Sequence, residues 1–135
     1  MLIADSSAWV EYLRRTESPA DLALDAAVAR DEVVVPELVK AELLAGARSN
    51  AEVRALETML EHFDTQLLAP RDDFDHAVKL YLRCRATGYT PRGLMDCAIT
   101  VMAMRAGLPV LHHDRDFAAI ARVAGITQVH GSLVA

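Results

Sequence analysis

The sequence predicts an α/β domain with a mainly parallel sheet of about five strands, covered by helices on both faces. Three observations carry this expectation. Short apolar or β-branched runs alternate with helical segments along the chain, and strand–helix–strand repetition closes by right-handed crossovers that leave neighbouring strands parallel. Capping residues and glycines fall at the joints between segments. No repeat, linker or low-complexity tract interrupts the 135 residues, so residues 1–135 read as one domain, long enough to bury a core without disulfides or a structural metal.

Taken in order, Met1 to Ala4 is an apolar strand followed by Asp5-Ser6-Ser7, residues suited to capping, and then by Trp9, Tyr12 and Leu13 at helical spacing. Ser18-Pro19 opens a second helix with proline at its first position. Glu32 to Val35 is β-branched and stops at Pro36, which starts the helix ELVKAELLAGA, ended near Gly46. Asn50 is expected to cap AEVRALETMLEHF, and Thr65 to Ala69 to form a third strand. Asp72 to Thr87 reads as a helix closed by Gly88, Tyr89 to Gly93 as a loop, and Leu94 to Ala106 as an apolar helix ended by Gly107. Pro109 to His112 is the fourth strand, Phe117 to Ala124 a helix ended by Gly125, and Ile126 to His130 the fifth strand.

An apolar fraction of 53% with 24% charged residues is globular. The longest nearly apolar run is too short to span a bilayer, and no basic segment opens the N-terminus, so a cytoplasmic protein with no membrane partner is expected. Cys84 and Cys97 lack metal-ligand spacing and should be buried free thiols. The net charge of −5 argues against nucleic acid. That objection weakens because five acids, Asp5, Glu42, Asp96, Asp114 and Asp116, are candidates for one site, and setting them aside leaves acids and bases equal at 14 each. Between His76 and Met95 there is no acid, while Lys79, Arg83, Arg85 and Arg92 occur. A neutral body with a local basic stretch can hold a phosphate backbone; an ordinary solvated helix face competes with that reading.

In parallel sheets ligands sit beyond the carboxyl ends of the strands. Asp5 and Asp114 both follow apolar strands and should emerge at that edge, with helix capping as the competing explanation for each. Glu42 lies four residues after Leu38, on the face expected to pack inward, unless it snorkels or meets a buried arginine. Asp96 is the strongest candidate: from Leu94 to Met104 only Asp96 and Thr100 are polar, and a buried carboxylate must be protonated, paired or bound to a cation. Converging carboxylates repel unless a divalent cation neutralises them, and an oxygen-only donor set favours Mg²⁺ or Mn²⁺ over zinc. Open sites of that kind serve phosphoryl chemistry. Of His112 and His113, adjacent on a strand, at most one can face the site.

Together, Asp5-Ser6-Ser7 after the first strand, Glu42 in KAELLAG, Asp96 opening an apolar helix, and HDRDF at 113–117 resemble a PIN-domain ribonuclease of the VapC toxin type. The resemblance spans the whole chain. It implies a three-layer α/β/α fold and cleavage of single-stranded regions of RNA by metal-activated water. It assigns Asp5, Asp96 and Asp114 to the metal shell, Glu42 to a metal-bound water or second ion, and Asp116 as an accessory acid. Ser6 or Ser7 is expected to bond a ligand carboxylate or the phosphate, with Ser6, next to Asp5, preferred. Where His112 stands, two before the fourth acid, the family often has Thr, Ser or Asn. The resemblance also implies a cognate antitoxin as inhibitor, with Trp9, Tyr12 and Leu13 similar to the wall of its groove, a homodimer, and a transfer or ribosomal RNA substrate. A haloacid-dehalogenase-type phosphatase would need a second Asp where this chain has Ser7, and a receiver domain would need a strand-end lysine, whereas Lys40 and Lys79 lie in helices. A non-catalytic PIN-like module binding RNA or protein is the remaining alternative; loss of one or more acids would mark it, and all four are present.

Overall fold

The computed structural model describes residues 1–134. Strand β1 (Leu2–Ala4) leads into α1 (Ser6–Arg14) and α2 (Pro19–Ala29), and β2 (Val33–Pro36) into α3 (Glu37–Ala45) and α4 (Asn50–Leu60). Strand β3 (Asp64–Gln66) is followed by α5 (Pro70–Ala86) and α6 (Met95–Ala106), and β4 (Val110–Leu111) by α7 (Arg115–Ala124). All pairings are parallel, in the order β3-β2-β1-β4. Consecutive strand residues point to opposite faces. Ile3 and Ala4 of β1, like Val110 and Leu111 of β4, are all 0% exposed, so both faces of the sheet are covered. The helices divide accordingly, with α1 packing on α2 and α3, and α5 on α6 and α7.

β2 runs one residue later than expected and β4 keeps only Val110–Leu111 of Pro109 to His112, and two further strands differ more. The third begins one residue earlier and ends at Gln66, because the backbone beyond it finds partners outside the sheet. The Leu67 carbonyl accepts from Arg105, the Leu68 N–H donates to Glu37 and the Ala69 N–H to Asp73. At the other edge, 126–130 pairs with β4 through a single parallel bridge, Val110 to Gln128. It does not extend because the His112 N–H, next along β4, donates to the Ser132 hydroxyl (3.1 Å) instead of to a strand carbonyl. The sheet thus has four strands plus a bridge.

The helix joints follow the capping chemistry with one shift. Ser18 caps α2 ahead of Pro19 as expected, but Ser49, not Asn50, caps α4, its hydroxyl accepting from the Glu52 N–H. Gly107 (φ 67°) and Gly125 (φ 75°) end α6 and α7 in the left-handed region, where a side chain would be strained. In α6 the residues from Cys97 to Ala103 are buried, whereas Leu94, Met95 and Met104 are 40–45% exposed. The core segment is therefore shorter than the apolar run. Thr100 is accommodated within it by donating its hydroxyl to the Asp96 carbonyl one turn back (2.8 Å). Cys84 and Cys97 are free and buried.

A fork of two hydrogen bonds joins α5 to α6: Arg105 Nε and a terminal nitrogen donate to the two oxygens of Asp73 at 3.0 and 2.8 Å. Asp73 is 1% exposed. Burial pushes its carboxyl up, but the Arg105 hydrogen bonds and charge outweigh burial and hold it below its usual value. A carboxyl depressed in the folded state stabilises the protein at neutral pH and loses that contribution as pH falls through its titration. Arg105→Ala is expected to cost about 2–3 kcal/mol at pH 7, less than for a fully buried pair because the arginine is half-exposed. Denaturant titrations should show the gap to wild type closing as the pH is lowered towards 3.

Candidate active site

The pairing of β1 with β4 brings the first and fourth acids to one edge. Asp5 directly follows β1, and its N–H donates to the Leu111 carbonyl at 2.9 Å. Ser7 Oγ then donates to Asp5 Oδ2 (2.7 Å) and accepts from the His113 N–H (2.9 Å), tying the first turn of α1 to the segment before Asp114. Asp5 does cap α1, since Oδ2 also accepts from the Ser7 N–H, but its other oxygen, Oδ1, is buried without a partner. Capping uses one oxygen and leaves one aimed into the site. Burial raises the Asp5 carboxyl above its usual value, hydrogen bonds from Ser7 and Ser6 oppose the rise, and the Asp114 charge adds to it.

Asp114 caps α7 through Oδ1, which accepts from the Asp116 N–H at 2.9 Å. Its own N–H donates to His112 Nδ1 (3.2 Å), and His112 Nε2 lies 2.6 Å from Gln128 Oε1, so the ring carries its proton on Nε2. The ring is fully buried and tilted against Phe117. His112 therefore orients the backbone that presents Asp114 rather than serving as a ligand itself. His113 points elsewhere, 3.5 Å from Glu11.

Glu42 stands on α3 one turn after the buried Leu38 and Val39, half-buried at the rim of the core. Ser6 Oγ donates to its Oε1 at 3.1 Å. Burial first, then the Asp5 charge, raises Glu42, with Ser6 opposing. Asp96 sits in the first turn of α6, where the N-terminus has no side-chain cap, and its carboxyl makes no hydrogen bond among the described residues. Capping does not explain it. Burial, together with the charges of Asp5, Asp114 and Glu42, pushes Asp96 up to about 7 against the opposing charge of Arg92. The four acids thus share one electrostatic environment.

Arg92, in the loop between α5 and α6, reaches into this environment. A terminal nitrogen donates to Asp114 Oδ2 at 2.6 Å, and Nε lies 3.3 Å from Asp116 Oδ2. Asp116 is otherwise buried, which raises it, while the Arg92 backbone N–H opposes the rise. Among the described residues, no three His, Cys, Asp or Glu side chains are close enough to form a ready-made cation cage.

The basic residues do not form one patch. Lys79 and Arg83 line a recess between α5 and α6 with His76 and Arg105, and Arg83 also donates to the Val123 carbonyl at 3.0 Å. Arg85, two residues on, faces another side of α5. The aromatic candidates also separate. Trp9 is 0% exposed and makes edge-on contacts with Tyr12 and Phe63, at centroid distances of 5.7 and 5.4 Å. It belongs to the core and not to a groove wall, because burying an indole gains more than any other side chain on α1 can offer. Tyr12 is half-buried, and Leu13 is exposed beside Ser6, Arg14 and Glu42 in a groove between α1, α3 and α4. Sequence reasoning preferred Ser6 to Ser7, whereas both bond an acid, and it missed the positioning role of His112. It placed Arg92 by charge alone, although its spacing of four residues before Asp96 was in view.

A carboxyl raised in the folded state makes the fold less stable as pH rises from its unfolded value of 3.8 through about 7. Asp96→Asn is therefore expected to stabilise the cation-free protein at pH 8 by roughly 1–2 kcal/mol, after allowance for solvent screening. Thermal or denaturant unfolding should show this gain vanishing near pH 4; a less stable variant at pH 8 would contradict the site's electrostatics.

Comparison with known proteins identifies the fold and the family. Residues 2–123 match the model of the PIN domain. VapC ribonuclease Mb1587 of Mycobacterium bovis is 31% identical over 128 residues, covering 93% of this chain and 96% of that protein. Ribonuclease VapC11 of Mycobacterium tuberculosis gives the same identity and coverage. Among solved structures, FitAcB from Neisseria gonorrhoeae superposes with a TM-score of 0.73 over 97% of this chain and 98% of that one, at 18% identity. A DNA-bound VapBC from Salmonella typhimurium gives 0.72 over 96% and 98%, also at 18% identity. At those identities the structural likeness speaks for the fold alone.

Proposed function

This chain belongs to the PIN-domain family and, within it, to the VapC ribonucleases, and we propose that it is a Mg²⁺- or Mn²⁺-dependent endoribonuclease acting as the toxin of a toxin–antitoxin pair. The observation that carries the reading is the group of four carboxyls, each from a different element, among which burial first and then the charges of Asp5, Asp114 and Glu42 push Asp96 up to about 7. The residues fit a hard divalent cation. The donors are all oxygens, Asp5 Oδ1 is buried and unpartnered, and Asp96 has both oxygens free among the described residues. Asp5, Asp96 and Asp114 would hold the ion, with Glu42 on a second ion or an associated water. When bound, the cation lowers the pKa of an attacking water and offsets charge building at phosphorus and on the leaving oxygen.

The chain's own groups supply the positioning. Ser7 fixes Asp5, Ser6 fixes Glu42 and His112 fixes the backbone of Asp114, so three of the four acids have restricted orientations. Asp116, buried next to Asp114, serves as the accessory acid. Lys79 and Arg83 are proposed to meet the RNA backbone. The substrate is proposed to be a single-stranded loop of a transfer or ribosomal RNA in the cytoplasm, where unstacked bases and a bent backbone give access to one phosphodiester. No helix among the described residues is long and apolar enough to cross a membrane.

Two protein partners are proposed. A cognate antitoxin would occupy the groove of Leu13, Arg14 and Glu42, whose rim reaches the acids through Ser6 and Glu42. A second copy would cover Phe74, Val78 and Leu82, which recur every four residues along one side of α5 and are 37–44% exposed.

Incubation of the purified protein with RNA and Mn²⁺ should yield 5′-phosphate and 3′-hydroxyl ends, with cleavage stopped by EDTA. Asp96→Asn should reduce the rate about a hundredfold or more while the fold is kept. A 2′,3′-cyclic phosphate product would falsify water attack. For the partners, sedimentation of the chain alone should give a dimer that Val78→Asp dissociates, and sedimentation with the antitoxin a complex that Leu13→Asp weakens; a monomer, or an unaffected complex, would remove the corresponding surface.

A further inference from the structure

Among the four acids, Asp114 is the one with both oxygens already engaged within the chain. Oδ1 accepts from the Asp116 N–H and Oδ2 from Arg92. Asp5 and Glu42 each keep one oxygen free, and Asp96 keeps two, among the described residues. A guanidinium 2.6 Å from Oδ2 fills the place a cation needs at Asp114. Yet Arg92 is poorly held, since its side chain is 70% exposed and Asp114 is 23% exposed, the setting in which an ion pair is easily exchanged. Its loop is bounded by Gly88 and Gly93.

A guanidinium fork matches a phosphate as well as it matches a carboxylate. We propose that Arg92 is an exchangeable substrate ligand: it neutralises Asp114 and Asp116 in the cation-free protein, is displaced from Asp114 by the incoming divalent cation, and then binds a backbone phosphate of the RNA at the cleavage site. The exchange makes cation loading and phosphate binding mutually reinforcing, because each releases or captures the same side chain. It also limits the cost of holding the acids together before either ligand arrives. This role rests on the proposed nuclease function, but it is specific to Arg92, and Lys79 and Arg83 in the α5–α6 recess do not share it.

The test measures binding before activity. Mn²⁺ binding to the RNA-free protein, followed by electron paramagnetic resonance, should tighten about threefold to tenfold in Arg92→Ala, with Arg92→Lys between it and wild type and Lys79→Ala unchanged. Binding of a labelled single-stranded RNA, followed by anisotropy, should weaken in Arg92→Ala by a similar factor with Ca²⁺ present, but by much less in EDTA. Lys79→Ala should weaken RNA binding equally in both. Mn²⁺ affinity that is unchanged or lower in Arg92→Ala would overturn the exchange while leaving the nuclease reading standing. If neither wild type nor variant binds Mn²⁺, the acids are not a cation site, and both readings fall.

Discussion

The hydrogen bond from the Asp5 N–H to the Leu111 carbonyl joins the carboxyl ends of two strands that are far apart in sequence. Without this pairing the first acid and the fourth would lie on unrelated parts of the surface. Ser7 reinforces the joint by bonding Asp5 on one side and the His113 N–H on the other. Because β1 is central in the sheet, with β2 beside it and α3 following β2, the same arrangement brings Glu42 to the edge. Asp96 arrives from the opposite group of helices, on α6. Four elements therefore bring carboxyls into one electrostatic environment, three of them held by local hydrogen bonds and Asp96 left without one among the described residues.

Such a place is electrostatically costly. Burial raises Asp5, Glu42 and Asp96, and the charges of neighbouring acids add to the rise, most visibly at Asp96. Three responses are built into the chain: serine hydroxyls that favour the ionised forms of Asp5 and Glu42, helix N-termini that accept Asp5 and Asp114 as caps, and the Arg92 guanidinium. Capping and site function are not rivals here, because a carboxylate has two oxygens and the cap uses one. Asp73 shows the contrasting solution outside the site, where a forked arginine bond satisfies the carboxyl and its value falls.

Much of this was legible in the order of residues. The α/β class, the helix joints at Ser18-Pro19, Gly107 and Gly125, and the four acids at strand or helix ends all follow from local chemistry that needs no partner. The family resemblance followed from the same motifs. Strand lengths at the sheet edges were not legible, since β3 stops where Arg105, Glu37 and Asp73 take its backbone groups, and 126–130 stays a bridge because Ser132 intercepts the His112 N–H. Arg105, Glu37 and Ser132 lie 20 or more residues away in the chain, and only Asp73, in the first turn of α5, is close by.

The chemistry on offer is written along the chain: five acids among apolar runs, and helices and strands in an order that closes into a parallel sheet. Tertiary structure brought four of those acids into one electrostatic environment. It buried Trp9 instead of exposing it, set the His112 ring against Gln128, and carried Arg92 from a basic stretch onto Asp114. Periodicity and capping act over a few residues and can be read along the chain. A hydrogen bond or ion pair across the fold depends on where both ends come to rest, and no local pattern encodes that.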